Sequence, residues 1–139
     1  MIQLTDEMKE LLYSALGDGM VPLVGTASKD GWPQISPKGS VMVYDQETLA
    51  YWERSKRSAM DNLAENPKVV IYYNNSATRT RWRFYGTATI HETGTIRDDV
   101  MSKTIQAELD RDPERTGVAV LVKIDKVGEL SGNILQQRD

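Results

Sequence analysis

The period of the hydrophobic positions changes several times along the chain, and each change marks an element. Thr5 is a good N-cap followed by Asp6 and Glu7, and Met8, Leu11, Leu12, Ala15 and Leu16 then fall on one helical stripe. Gly17 and Gly19 end this helix, which is expected to cover one side of a β core. Strand patterning takes over from there. Val21–Ala27 is apolar and β-rich, Lys29-Asp30-Gly31 reads as a hairpin turn, and Trp32–Ser36 returns. Pro37-Lys38-Gly39 interrupts before Ser40–Tyr44. Pro37 cannot donate to a ladder and Gly39 leaves room at the backbone, so an edge, a bulge or a ligand approach is expected there.

A turn at Asp45–Thr48 leads into Leu49–Trp52, and a second helix is expected over Ser58–Asn66, ended by Pro67. Lys68–Tyr73 and Arg81–His91 read as strands around a polar loop at Asn74–Thr80. Thr95–Leu109 reads as one helix, with Ile96, Val100, Met101, Thr104, Ile105 and Leu109 along one side, and Gly117–Asp125 is the last strong strand. No repeat, low-complexity tract or linker divides the sequence, so one domain over residues 1–139 is expected. Closely spaced antiparallel strands must remove or protect their edges. The expected fold is therefore mainly β with flanking helices, as a six-stranded antiparallel barrel. A doubly wound parallel sheet does not fit, because regular strand–helix alternation is missing.

Composition narrows the chemistry. The 139 residues include no Cys and one His, which excludes disulfides, thiol nucleophiles, Cys-based zinc or iron–sulfur sites and multi-histidine metal sites. Seventeen Lys+Arg against twenty Asp+Glu give a net charge of −3, so no global positive field attracts nucleic acid. No stretch approaches the ~18 apolar residues of a membrane span, and the opening MIQLTDEMKE has neither a basic n-region nor an apolar h-region. A soluble, cytoplasmic protein without a membrane partner is the expectation.

Three stretches carry candidate chemistry. In Glu53–Leu63, three cations (Arg54, Lys56, Arg57) and the hydroxyls of Ser55 and Ser58 lie between a predicted strand and a predicted helix. Ser58 can cap that helix, with Asp61 three residues on, and a helix N-terminus flanked by cations favours a phosphate. Arg57 can bind one bidentately while Ser55 and Ser58 donate to the remaining oxygens. The competing reading is a solvated basic turn. In Gln34–Ser40, Ser36, Pro37 and Lys38 could present backbone amides and an ammonium to a flat polar ring; the competing reading is an ordinary strand break. In Arg79–Phe84, alternation sends Arg81 and Arg83 to one face and Trp82 and Phe84 to the other. That arginine row needs anions, from a ligand, a partner chain or the chain's own carboxylates. His91 beside Glu92 reads as a surface residue rather than a base or haem ligand. The three Trp each fit a core or an interface as well as a ligand stack. No nucleophile elbow, Walker loop or dinucleotide fingerprint is present, so if the protein is an enzyme a cofactor carries the reaction.

These features occur in a recognisable order: a strand pair around a D-G turn, S-P-K-G, D-x-x-T-L, a cationic Ser-rich turn, and N-L-x-x-N-P before a buried strand. Over roughly Leu4–Val122 the sequence resembles the pyridoxamine 5′-phosphate oxidase-like family of FMN-binding split barrels. The resemblance implies a homodimer with FMN between subunits. It places the phosphate near Arg54, Lys56, Arg57 and Ser58, and the ring along Ser36, Pro37 and Lys38 with Trp52 and Glu53 nearby. Arg81 and Arg83 match a strand from which relatives reach FMN, often across the dimer. Two departures stand out. Ser58-Ala59 occupy the place where many relatives carry a basic pair directly before the helix. Gly128–Asp139 lacks the Arg- and Trp-containing tail that binds pyridoxal phosphate in the true oxidases, so vitamin B6 oxidation is not the expected reaction. The implied activity is FMN-dependent oxidoreduction of a small molecule or dioxygen, with Lys38 tuning the flavin. The alternatives are a flavin-binding or electron-carrier protein without turnover, a member using F420 or haem, and a ligand-free interaction domain.

Overall fold

The computed structural model describes residues 1–55 and 58–139 of the chain. In order, the elements are α1 (Asp6–Asp18), β1 (Leu23–Ala27), β2 (Pro33–Pro37), β3 (Met42–Asp45), β4 (Thr48–Glu53), α2 (Ser58–Glu65), β5 (Lys68–Asn75), β6 (Thr80–His91), α3 (Thr95–Lys103), α4 (Gln106–Leu109), β7 (Val118–Glu129) and β8 (Ile134–Gln137). The strands form an antiparallel sheet in the order β2-β1-β5-β6-β7-β4-β3, with β8 added to β7. The two ends of that path, β2 and β3, are neighbours in sequence, so residues 38–41 join the open ends of the sheet.

Local chemistry explains the elements. The Thr5 hydroxyl accepts from the Met8 amide at 3.2 Å, and Gly19 at φ 72° lets the Met20 amide donate back to the Ala15 carbonyl. Met8, Leu12 and Ala15 of the expected stripe are buried. In the β1–β2 turn, the Gly31 amide donates to the Ser28 carbonyl and Ser28 and Trp32 pair across it. The N-L-x-x-N-P stretch fastens α2 to that hairpin: Asn62 donates to the Thr26 hydroxyl at 3.1 Å, Leu63 is buried, and Asn66 donates to the Ser28 carbonyl.

All six residues of β4 are buried because the strand serves two cores. Leu49 and Tyr51 face the main core with Val24, Ile71, Phe84, Val120 and Val122. Ala50 and Trp52 face a second cluster with Met42, Val100, Leu109 and Ala119, where α3 and α4 cover the outside of the sheet. This is where the strand's polar end, Glu53, becomes enclosed.

Three expectations are corrected. The sheet has eight strands rather than six: each of the seven stretches that read as strand forms one, and β8 is added because a tight turn with Gly132 at φ 95° returns the chain onto β7, which apolar patterning does not reveal. The helix expected over Thr95–Leu109 breaks into α3 and α4, since Thr104 and Ile105 are extended (ψ 139° and 142°) and the Thr104 hydroxyl donates to the Val100 carbonyl at 2.7 Å. The polar loop shrinks to residues 76–79, because the buried Asn75 side chain accepts from the Ala77 and Thr78 amides and closes the turn itself.

The register of β6 on β7 shifts between Tyr85 and Gly86, and a Cβ at Gly86 would press into the Lys123 carbonyl and to 2.8 Å from Val122. Gly86→Ala is expected to lower unfolding free energy by about 2–3 kcal/mol in urea titrations. A change below about 0.5 kcal/mol would show that this close crossing does not constrain the sheet.

Candidate functional site

At the joined ends of the sheet the chain encloses a small cavity of about 70 Å³. One wall is the segment from Pro37 to Ser40, the opposite wall runs from Trp52 to Ser55 at the end of β4, and Glu108 of α4 closes the third side. Its geometry is held by paired charges. Lys38 Nζ lies 2.6 Å from Glu53 Oε2, with side chains only 14% and 3% exposed. Arg54 Nε lies 3.3 Å from Glu108 Oε2, at 41% and 7% exposure. Two cations therefore face two carboxylates.

The walls are rigid for identifiable reasons. The Ser40 hydroxyl donates to the Trp52 carbonyl (3.1 Å) and accepts from the Trp52 amide (2.9 Å), so one side chain stands in for a ladder rung across the sheet opening. The Trp52 indole N–H donates to Asp112 Oδ2 at 2.9 Å, and the Arg97 guanidinium stacks 4.9 Å above the ring. Arg97 also donates to the Gly117 and Arg115 carbonyls. Gly117 has no room for a side chain, since a Cβ there would come 2.7 Å from Trp52 Nε1 and 2.8 Å from the Glu53 carbonyl. Asp112 is the hub. Burial pushes its carboxyl up, but donors from the Thr116 and Gly117 amides, the Trp52 indole and the Thr116 hydroxyl outweigh that and hold it below the ordinary value.

Six of the residues singled out from sequence (Pro37, Lys38, Trp52, Glu53, Arg54 and Ser55) converge on this cavity. Trp52 is buried and clamped, which makes it a wall rather than a stacking platform. Ser36 lies one residue before the cavity on the row of Val24, which faces the core. Ser58 begins α2 and is exposed; Lys56 and Arg57 lie outside the described residues. Arg81 and Arg83 are elsewhere in the same chain. Arg83 pairs with Tyr72, Tyr72 with Leu23, and Leu23 with Pro37, so Arg83 stands on the row of Pro37 three strands away, about 14 Å at ~4.8 Å per strand. Its guanidinium donates to the Leu130 carbonyl.

Glu108, Ser40, Asp112 and Arg97 were not anticipated. Each acts through tertiary contacts with residues 12 to 60 positions away, which no spacing rule encodes. A second, larger concavity of about 740 Å³ lies between α1 and β3, with Tyr13, Tyr44 and Lys103 on its walls. Among the described residues no group of three or more His, Asp or Glu is placed to hold a metal ion, and no helix is long and apolar enough to cross a membrane.

An antiparallel split-barrel sheet flanked by helices, with a charged cavity where its open ends meet, is the class of protein this fold defines. The sequence model of the pyridoxamine 5′-phosphate oxidase family matches residues 4–129, and the chain belongs to that family. A Methanocaldococcus jannaschii protein of uncharacterised function is 26% identical over 131 residues, covering 93% of this chain and 82% of its own. Among solved structures, HupZ of Group A Streptococcus superposes with a TM-score of 0.74 at 24% identity, over 95% of this chain and 98% of its own. A protein described as a candidate pyridoxamine 5′-phosphate oxidase from Lactobacillus delbrueckii gives 0.71 at 28% identity, over 91% and 94%.

Because the Asp112 carboxyl is depressed in the folded state, the stability it contributes is fully present above the unfolded carboxylate pKa of ~3.9 and is lost as pH falls through the lower folded value. Asp112→Asn is expected to lower Tm by a constant amount between about pH 5 and 8, with the gap to wild type narrowing below about pH 4. Thermal scans across pH check this, and a gap independent of pH down to about pH 2 would remove the charge from the account.

Proposed function

We propose that this chain binds flavin mononucleotide and passes hydride or electrons through it to a small-molecule acceptor or dioxygen, as a homodimer. The observation that carries this reading is the cavity at the end of β4. An ammonium (Lys38) and a carboxylate (Glu53) form a fixed donor–acceptor pair there, a few residues before α2 in a stretch whose sequence carries three cations and two hydroxyls. Such a pair suits one side of the polar edge of a flavin ring, where a carbonyl acceptor adjoins an N–H donor. A net-neutral pocket is a poor seat for a phosphate dianion. The phosphate is therefore assigned outside the pocket, to Arg54 at its mouth and to Ser55, Lys56, Arg57 and Ser58 towards the helix start.

Flavin mononucleotide, when bound, supplies the two-electron chemistry that this cavity's side chains lack. The chain's residues have narrower tasks. Glu53 holds the Lys38 ammonium in place, and Lys38 stabilises negative charge that collects on the polar edge of the ring. Ser40 and the Asp112–Trp52 clamp keep those two walls at a fixed separation. Vitamin B6 oxidation is not proposed: Arg138 near the C-terminus is committed to Glu47 and Asp125 at 2.7 and 3.3 Å.

The size of the cavity supports the dimer. About 70 Å³ admits one edge of a flavin, against ~300–1,000 Å³ for a typical ligand pocket. The rest of the ligand would lie on the outer face of β2, β1, β5 and β6, where Trp32 (77% exposed), Ile35 (68%) and Leu23 leave apolar surface in water beside Arg83. A second copy seated on that face would cover both the apolar surface and the ligand, and would bring the partner's arginine row towards the site. One observation favours a carrier without turnover: both cavity carboxylates are engaged in ion pairs, so neither is an obvious acid or base. Stopped-flow reduction by NADH or NADPH no faster than that of free FMN would select the carrier.

Freshly purified protein is expected to show a flavin spectrum and to release a chromophore with the mass of FMN; a colourless protein that takes up no added FMN would overturn the reading, and the mass of F420 or haem would replace it. Ile35→Glu is expected to shift the sedimentation coefficient from dimer to monomer and to weaken FMN binding by more than about tenfold. Wild type sedimenting as a monomer at high concentration would reject the shared site.

A further inference from the structure

We propose that Glu108 is a positioning residue that presents Arg54 to the anionic group of the ligand; this rests on the flavin mononucleotide reading above. Glu108 is nearly buried, which is unusual for a carboxylate, and it is placed by three independent features of the fold. The break between α3 and α4 at Thr104–Ile105 turns its helix toward the joined ends of the sheet. The Glu108 amide donates to the Ile105 carbonyl at that break, fixing where the side chain starts. Gly39 supplies the room, because a Cβ there would run into Glu108 Oε1.

The contact Glu108 makes is selective. Its Oε2 accepts from Arg54 Nε, so the hydrogen bond does not use the two Nη nitrogens. An arginine held through Nε has its guanidinium plane oriented while the paired Nη donors stay available for a bidentate anion. Arg54 is 41% exposed and lines the mouth of the cavity beside Ser55, so an anion bound at that mouth lies within its reach. Without the anchor, Arg54 is a flexible surface side chain that must be ordered by the ligand itself, at a cost in affinity. Glu53 does not take over this role, since it is occupied by Lys38.

The effect belongs to the phosphate alone, which gives a clean readout. The quantity is the ratio of the riboflavin Kd to the FMN Kd, measured by quenching of flavin fluorescence on the full-length protein. Glu108→Ala is expected to reduce that ratio by about tenfold while leaving the riboflavin Kd unchanged, and Glu108→Gln, whose amide oxygen still accepts from Nε, to retain most of it. Gly39→Ala, which displaces Glu108 without altering it, is expected to behave like Glu108→Ala. In an Arg54→Gln background the Glu108→Ala change is expected to have no further effect. An unchanged or larger ratio in Glu108→Ala, or an equal loss of riboflavin binding, overturns the inference while leaving the flavin reading intact. Failure of wild type to bind either flavin overturns both.

Discussion

The ion pair of Lys38 and Glu53 sits where the two ends of the strand path, β2 and β3, meet without a ladder between them. β2 and β3 end the strand path, and residues 38–41 must cross between them. Two buried devices make that crossing: the ammonium–carboxylate contact and the double hydrogen bond of Ser40 to the Trp52 backbone. A buried ion pair loses hydration that its mutual attraction only roughly offsets, so stability alone gives little reason to place one here. Its value lies in position. It fixes two opposite charges at the mouth of a cavity, with orientations that a pair of apolar side chains could not supply.

Rigidity behind the pair comes from a second core. Trp52 is gripped at its indole nitrogen by Asp112, on its face by Arg97 and at its edge by Gly117. Because β4 is packed on both faces, Glu53 and Arg54 emerge from a strand end that has little freedom to move. The small helix α4 then adds Glu108 from the opposite side. Charge balance in the cavity follows, with Lys38 against Glu53 and Arg54 against Glu108.

Much of this was legible in the sequence, where local rules decide the outcome. Thr5, the apolar stripe and Gly19 define α1 as capping chemistry requires, and Asp30-Gly31 makes the turn expected of it. Pro37 and Gly39 mark the strand interruption that became a cavity wall. Alternation correctly separated Arg81 and Arg83 from Trp82 and Phe84, and the fold turns the latter pair into the core. What alternation could not show is that Arg83 stands three strands from Pro37, since that depends on sheet order. The helix break at Thr104 was hidden by an apolar periodicity that runs straight through it. Glu108 and Asp112 were illegible for a related reason: a carboxylate in a polar stretch looks solvated until the fold encloses it.

In the proposed complex a flavin's polar edge meets the Lys38–Glu53 pair, its phosphate lies between Arg54 and the start of α2, and a second copy of the chain covers the remainder. The crystal structure of the protein grown with FMN tests this most directly. Ring density against the Lys38–Glu53 pair, with the phosphate beside Ser58 and a two-fold-related chain covering Ile35, is the predicted result. FMN seated instead in the concavity between α1 and β3, or absent at saturating concentration, would contradict it.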